Sequence, residues 1–156
     1  MTKTIETPRL LIRMVTVEEH RAVFTQYEQT DAMAFMDYDT EEQYLQEKKK
    51  VDGGMTTHRT SVLYFHLIEK QSARIVGEFA YHNWYPGHSR SEIGYAMRAD
   101  VYKNQGYMKE AMLPILDYGF NQMKLNRIEA FISPKNEPSL KLVKRYGFVE
   151  EGLLRE

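Results

Sequence analysis

Three β-rich segments joined by two short turns limit the possible folds more than any other feature of this sequence. Residues 62–68 form an almost unbroken apolar run, residues 74–81 return after a turn, and residues 91–97 follow a second turn that contains Pro86 and Gly87. Runs rich in Val, Ile, Phe and Tyr favour strands, and short turns join strands that pair antiparallel. We therefore predict a three-stranded antiparallel meander whose first strand is buried on both faces.

The C-terminal third changes to alternating helix and strand patterns. Residues 106–123 carry apolar side chains at helical spacing, and Pro114 inside this run predicts a kink. Residues 127–133 have strand character, residues 136–146 have helical spacing, and a last strand is expected from Phe148 to residue 154. Strands that alternate with helices pair parallel, so the fold class is α/β (α+β) with a mixed sheet.

The N-terminal third predicts one short strand and two helices. Residues 10–12 form an apolar strand, and Thr16 and Thr40 are each followed three residues later by Glu or Gln, the spacing of a capping box. Helices are therefore expected to begin at both threonines. The second helix should continue to about Val51 and stop at the glycine pair that begins at Gly53.

Length and composition exclude several classes of protein. A chain of 156 residues predicts one domain over residues 1–156, and 21 basic against 22 acidic residues disfavours a nucleic-acid partner. The chain has no cysteine, which excludes a disulfide scaffold and a cysteine nucleophile, and its five histidines lack metal-ligand spacing, so we predict no metal. No apolar run reaches the ~18 residues of a membrane helix, and the N-terminus lacks a signal-peptide pattern; a cytoplasmic protein without a membrane partner is expected.

Residues 102–111 contain the most informative local pattern. They follow one predicted strand and open a predicted helix, where free backbone N–H groups and the helix dipole favour an anion. Gly106 permits close approach of a phosphate, and Lys103 and Lys109 add positive charge. The segment has one glycine and matches neither a P-loop nor GxGxxG, so a plain turn with solvated lysines remains open at this point.

Five short segments occur along the second half of the chain in one order and spacing. They are SEIGY at 91–95, KNQGYMKEA at 103–111, LNRIEA at 125–130, NEPS at 136–139 and YGFVEEG at 146–152, followed by LRE at the end. Together they resemble the GNAT superfamily of N-acetyltransferases, and specifically its RimJ/RimL-like branch, of which the opening TPRLLIR is also typical. The resemblance covers nearly the whole chain and is weaker over residues 15–60.

The resemblance implies transfer of an acetyl group from acetyl-CoA, as co-substrate, to a primary amine. It also implies a GNAT-like, mostly antiparallel central sheet flanked by about four helices. Without a cysteine for a covalent relay, direct attack in a ternary complex is expected. The acceptor is a protein N-terminus, a polyamine or a small-molecule amine, and a non-catalytic acyl-CoA-binding or regulatory module of the same fold is the alternative.

The resemblance further implies where the cofactor binds. The diphosphate would lie on the backbone amides of residues 103–108, pantetheine along residues 97–99, and the N–H near Met97 would hold the thioester oxygen. Lys103 replaces a usual Gln or Arg, and Met108 replaces a small residue and is expected to crowd the phosphates. Asn136 would reach the pantetheine arm or act as an ordinary helix N-cap. The implied binding residues are Met97, Arg98, Ala99, Lys103, Asn104, Gln105, Gly106, Tyr107, Met108, Lys109 and Asn136.

For the two proton transfers, from the amine and to the leaving thiolate, the chain matches the family's residues least well. Many relatives have a tyrosine acid seven residues after the asparagine, where this chain has Val143, and Tyr146 is better explained by packing. Ser139 matches the serine that RimJ/RimL-like relatives are thought to use, and a capping serine is the alternative. Glu92 is the candidate base through a water, or else a solvated charge on a strand.

Other polar segments give weaker hypotheses. His82 is a possible substrate-lining residue, although a surface turn is the favoured interpretation. The acidic residues 37–42 suit a helix start or a collar that attracts a cationic amine, and the apolar Met33, Phe35 and Met36 before them suit a core or an adaptable wall. Relatives continue past the motif at the end of this chain with a further strand. The strand from Phe148 should then have an unpaired edge, which predicts a homodimer or a longer natural protein.

Overall fold

The computed structural model describes residues 3–57 and 59–155, whose strands form one mixed sheet with helices on both faces. The six strands lie side by side in sequence order. Two short 3₁₀ turns, Pro86–His88 and Asp100–Tyr102, lie on either side of the fifth strand. The strands are β1 Thr4–Glu6, β2 Leu10–Thr16, β3 Ser61–Glu69, β4 Ile75–Tyr85, β5 Arg90–Met97 and β6 Arg127–Ala130; the helices are α1 Val17–Thr25, α2 Gln29–Met36, α3 Glu41–Asp52, α4 Tyr107–Asn121 and α5 Glu137–Arg145.

The sheet is antiparallel from β1 to β5 and parallel only between β5 and β6. The predicted meander is confirmed as β3, β4 and β5, and the predicted parallel pairing is confirmed at β6. The first strand is longer than residues 10–12, because β2 continues to Thr16 and pairs with β3 over its whole length. A mostly antiparallel mixed sheet is therefore the correct fold class.

Each face of the sheet is covered by its own helices. On one face, α4 packs against an apolar core in which the Tyr81 hydroxyl donates to the Ile115 carbonyl at 2.8 Å, and Phe65 and Phe79 meet edge to face at 6.0 Å. We call this the α4 face; α5 joins it through Leu142. The opposite side, the α1–α3 face, packs its own apolar cluster around Phe24 beneath the three N-terminal helices.

Both predicted capping boxes are present. The Thr16 hydroxyl accepts from the Glu19 N–H at 3.1 Å and starts α1, and the Thr40 hydroxyl accepts from the Gln43 N–H at 3.3 Å and starts α3. Such caps contribute about 1 kcal/mol each. Between these helices lies α2, which the sequence analysis did not predict; its N-cap Glu28 makes no side-chain hydrogen bond. The described residues thus form five helices rather than about four.

The last strand predicted from Phe148 is wrong. Residues 148–155 form no helix or strand, and Val149 is 81% exposed. One ion pair, between Arg127 of β6 and Glu151, connects this segment to the sheet. A strand needs a partner for its backbone groups, and the segment pairs with none, so β6 is the last strand at this end of the sheet. None of the described helices is long and apolar enough to cross a membrane.

Candidate functional site

The sheet opens between β5 and β6. Their parallel pairing ends at Ile93 and Ala130, so Gly94–Met97 have a strand partner only on the β4 side. The Arg98 N–H donates to the Val76 carbonyl of β4 at 2.8 Å. Backbone groups alternate in direction along a strand, so those of Met97 and Tyr95 face the gap. We call this stretch of β5, residues 94–97, the open edge.

A loop with an uncapped helix start follows the open edge directly. The chain passes through a 3₁₀ turn and then Asn104 and Gly106, which have positive φ angles of 61° and 78°. Gly106 is the N-cap of α4 and offers no side chain, so the N–H groups of Tyr107 and Met108 have no acceptor within residues 3–57 and 59–155. Aligned free donors at the positive end of a 15-residue helix form a binding site for an anion.

Two side chains at the start of α4 are buried in the core and so leave the free donors uncovered. Met108 is 92% buried in the α4-face core, so the expectation that it crowds a phosphate is wrong. The Tyr107 ring is buried as well, and its hydroxyl donates to Glu69 at the end of β3. Lys103 is paired with Asp100 at 2.8 Å, whereas Lys109 is exposed. The loop therefore presents its backbone and the exposed side chains of Asn104, Gln105 and Lys109.

A clamp from the N-terminal segment fixes the first turn of α4. The Glu110 carboxylate accepts from the Thr7 hydroxyl, from the Arg9 N–H at 2.9 Å and from Arg9 Nε at 2.8 Å. The Arg9 guanidinium also lies 4.4 Å above the Tyr107 ring. Burial alone would raise the pKa of Glu110, but the hydrogen bonds from Thr7 and Arg9 hold it below its usual value. A groove of about 570 Å³ lies beside Gly106.

The Arg98 side chain lies on the opposite side of the sheet from α4. Its guanidinium donates to the Met36 and Asp37 carbonyls at 3.0 and 2.9 Å and pairs with Glu78 on the α1–α3 face. Its N–H is bonded to β4. The guanidinium and the N–H of Arg98 are therefore engaged elsewhere, and the guanidinium connects the end of α2 to the sheet. Ala99, the next residue, is exposed at the start of the loop.

The start of α5 brings two predicted residues together. Asn136 caps the helix, because its Oδ1 accepts from the Ser139 N–H at 3.3 Å, which leaves the amide NH₂ unused within the described chain. Val143, at the position where relatives have a tyrosine, is buried. The Tyr146 hydroxyl donates to the Lys109 carbonyl at 2.8 Å and so fastens α5 to the first turn of α4. This contact supports packing as the role of Tyr146.

Tyr95 is a candidate that the sequence analysis did not select. Its ring stacks on Phe79 with centroids 5.8 Å apart and planes inclined by 13°. Its hydroxyl is buried and has no hydrogen-bond partner in the described chain, an arrangement that typically costs about 1–3 kcal/mol. Burial raises the pKa of Tyr95, and the neighbouring Ser139 hydroxyl opposes the rise. The signal in the sequence was the alternation of residues 91–97, which puts odd-numbered side chains on the α4 face.

Glu92 lies on the opposite face of the same strand, with two neighbours from β4. Glu92 Oε2 accepts from Asn83 Nδ2 at 2.9 Å, and Oε1 is 3.7 Å from His82 Nε2. The His82 ring covers Gly94, where an added Cβ would lie only 2.9 Å from Nε2. The favoured interpretation of His82 as a turn residue is wrong, because β4 extends to Tyr85. A cavity of about 300 Å³ adjoins His82 and Asn83.

The acidic residues 37–42 do not form a free collar. Asp37 and Asp39 both pair with Arg74, at 2.9 and 3.0 Å, and Asp37 also accepts from the Ile75 N–H. Met33, Phe35 and Met36 belong to the cluster under α1–α3, as the core interpretation predicts. Among the described residues, no group of three or more His, Asp or Glu side chains is placed to hold a metal ion.

Comparison with known proteins gives one consistent result. The profile described as "Acetyltransferase (GNAT) domain" matches residues 9–149. The uncharacterized N-acetyltransferase YnaD of Bacillus subtilis is 32% identical over 152 residues, which is 97% of this chain and 86% of that protein. Over the first three curated relatives, the matched region spans 51% to 86% of the relative's length.

Solved structures agree with the sequence relatives. An acetyltransferase (GNAT family) from Bacillus anthracis is similar with 32% identity and a TM-score of 0.62, covering 96% of this chain and 86% of its own. The ribosomal-protein-S5-alanine acetyltransferase of Vibrio fischeri is similar with 20% identity and a TM-score of 0.64, covering 96% of this chain and 85% of its own. At that identity the second likeness shows the fold alone.

Proposed function

Because the chain belongs to the GNAT acetyltransferase family, we propose that it moves the acetyl group of acetyl-CoA directly to a primary amine in a ternary complex. One observation carries this proposal. The open edge of β5 lies between an uncapped helix start and two hydroxyl side chains, with a carboxylate on its other face. A diphosphate, an extended amide-bearing arm and a reacting amine each have a matching partner in that arrangement.

The residues present fit CoA. The N–H groups of Gly106, Tyr107 and Met108 would hold the diphosphate, and Lys109 and the groove beside Gly106 would accept the adjoining nucleotide. The amide-bearing pantetheine would pair with the backbone of Tyr95 and Met97 as an added strand does. The unused NH₂ of Asn136 can donate to the same arm.

The backbone of Met97 would also stabilise the charge that develops on the thioester oxygen. Its N–H faces the gap and belongs to a rigid strand, so it needs no reorganisation during the reaction. A preorganised donor of this kind typically contributes about 3–4 kcal/mol in the transition state.

The two faces of β5 would divide the proton transfers. The amine approaches on the α1–α3 face, where Glu92 takes its proton through a water or through His82. The nitrogen then forms its bond to the acetyl carbon while the carbon–sulfur bond breaks. The sulfur takes its proton on the α4 face, where Ser139 lies at the start of α5.

The acceptor amine is proposed by class. The cavity beside His82 is about 300 Å³ and has Lys50, Met55 and Tyr64 on its walls. It admits one amine-bearing group of side-chain size, which suits a protein N-terminus, one end of a polyamine or a small-molecule amine. Asp37 and Asp39 are paired with Arg74, whereas Glu92 contacts His82 and Asn83, which line that cavity, and so can attract a cation there.

The proposal is tested with the purified full chain. Calorimetry with CoA measures binding, and acetyl transfer is followed as free thiol over a panel of N-terminal peptides, polyamines and aminoglycosides. We expect micromolar CoA binding and turnover of at least one amine class. Binding without turnover of any amine would identify the acyl-CoA-binding module instead, and absence of CoA binding would reject the site itself.

A further inference from the structure

The buried hydroxyl of Tyr95 has no hydrogen-bond partner among the described residues. Buried polar atoms in folded proteins nearly always have a hydrogen-bond partner, so an unpaired hydroxyl beside a proposed reaction site points to a functional role. The ring cannot simply turn away, because it stacks on Phe79, its cross-strand neighbour in the register of β4 and β5. The hydroxyl is thus held in place without a partner.

The Ser139 side chain lies near enough to the Tyr95 hydroxyl to oppose the rise in the pKa of Tyr95. Ser139 and Leu142 are three residues apart on α5 and so share one side of the helix. Leu142 packs into the same α4-face core as the Tyr95 ring. The side of α5 that bears Ser139 is therefore turned toward Tyr95, and the backbone of Tyr95 borders the gap where the thioester would lie.

A serine hydroxyl alone is too weak an acid to protonate the departing thiolate. The departing group is a thiolate, and a thiol has a pKa of about 8.5, whereas tyrosine has a pKa of about 10 and a serine hydroxyl is a far weaker acid than either. Serine can pass a proton on only if it receives one at the same time. Tyr95 is the acid beside Ser139 that can supply it.

We infer that Tyr95 is the proton source behind Ser139, acting through the serine on the leaving sulfur. As the carbon–sulfur bond breaks, the Ser139 proton moves to sulfur and the Tyr95 proton moves to the Ser139 oxygen. The tyrosinate then regains a proton from water, which balances the proton that the amine released through Glu92. This inference rests on the proposed function.

The surroundings of Tyr95 keep it in its acid form. The Tyr95 ring stacks on Phe79 of β4, and its hydroxyl lies near Ser139 of α5. Neither of these side chains is charged. Burial raises the pKa of the phenol. An acid acts only while it is protonated, so the basic limb of kcat should lie at high pH and should follow the acidity of residue 95.

Three variants test this inference. Tyr95→Phe should lower kcat at least tenfold and change KM for acetyl-CoA less than about twofold. Ser139→Ala should do the same, and the double variant should be no worse than the poorer single one, since the two residues act as one unit. Tyr118→Phe is the matched control, because Tyr118 packs in the same core against Phe65 and should retain wild-type kcat.

Two further measurements exclude a merely structural role. Replacing Tyr95 by 3-fluorotyrosine, which keeps the shape and lowers the phenol pKa, should move the basic limb of kcat to lower pH. The wild-type enzyme should bind CoA with a lower Kd than desulfo-CoA, which lacks the sulfur. The ratio of these two Kd values should be smaller in Tyr95→Phe. Wild-type kcat in Tyr95→Phe, or an unmoved basic limb, would overturn the inference. Either result in an enzyme that binds CoA and acetylates amines would leave the proposed function intact.

Discussion

The two faces of the central sheet are built from different chemistry. On the α4 face, the core is apolar, and its polar groups near the site are the hydroxyls of Tyr95 and Ser139. The α1–α3 face buries two histidines, His20 and His66, each 2% exposed, next to charged partners. The proposed cofactor side is therefore formed largely by backbone groups, and the proposed acceptor side by ionisable side chains.

The α1–α3 face holds His66 in its neutral form. Its Nδ1 lies 2.8 Å from an Arg13 guanidinium nitrogen, which also donates to the Phe35 carbonyl. Burial first, and the nearby Arg13 charge second, lower the pKa of His66 to about 3. A neutral imidazole accepts from Arg13, whereas a protonated one would place two positive groups together in a buried site.

Acid should destabilise the protein through this histidine, and this is the largest effect that we expect. The unfolded chain binds a proton at His66 below a pH of about 6.5, and the folded chain does not until about 3. Stability should therefore fall as the pH drops from about 6.5 toward 3, by on the order of a few kcal/mol. Urea unfolding at pH 7 and pH 4.5 measures this loss. His66→Asn should reduce it, His88→Asn in the exposed turn should not, and an equal loss in both variants would contradict the assignment.

Replacing Glu92 tests the acceptor side of the comparison directly. Glu92→Gln keeps the hydrogen-bonding shape beside Asn83 and removes the base, so kcat/KM for the amine should fall about 100-fold. The acidic limb of the pH–rate profile should flatten. CoA affinity, measured by calorimetry, should stay within about twofold of wild type. A large loss of CoA affinity would show that the two faces are not separate in function.

Replacing Gly106 tests the cofactor side. Valine at a φ of 78° is strained, and its side chain would meet Arg9, whose Nη2 is 3.4 Å from an added Cβ. Gly106→Val should weaken CoA binding at least tenfold, about 1.4 kcal/mol, in calorimetry. Gly152→Val, where nothing lies within 4 Å of an added Cβ, is the control. Unchanged CoA affinity would reject the loop as the diphosphate site.

Adding one methyl group at Gly94 should change amine binding without changing CoA binding, and this is the smallest effect that we expect. The new Cβ would lie 2.9 Å from His82 Nε2, so the ring must move from its place beside Glu92. Gly94→Ala should raise KM for the amine about fivefold and leave CoA affinity near wild type. Gly87→Ala, with open space around the added Cβ, is the matched control. Equal KM values in the two variants would remove His82 from the acceptor site.

Most of the fold was predictable because its signals are local. The meander and both capping boxes follow from strand formers and cap spacing within a few residues. Helix α2 was missed because it lacks a side-chain cap and buries only Ala32 and Met36. The strand expected from Phe148 depends on a partner strand, and strand formation cannot be read from one segment alone.

The parts of the candidate site that are formed by backbone groups were easier to predict than the parts where side chains from different elements come together. The loop pattern predicted a helix start at Gly106, and the structure has α4 begin there without a side-chain cap. Tyr95 was not selected and His82 was given only a weaker hypothesis, because the roles proposed for them depend on the register of β4 against β5 and on the placement of α5. Met108 was misjudged for the same reason, since the direction of its side chain follows from the packing of α4.

The clamp on Glu110 has a consequence for how the chain folds. Arg9 and Glu110 are 101 residues apart, so their contact closes a loop of about two thirds of the chain. Contacts of such long range form late, because the entropy of closing the loop opposes them until intervening structure exists. A nascent chain can pair β3 with β4 as soon as both have left the ribosome, but it cannot fasten the start of α4 until both ends of the clamp are present. Cofactor binding should therefore be among the last properties that the protein gains during synthesis.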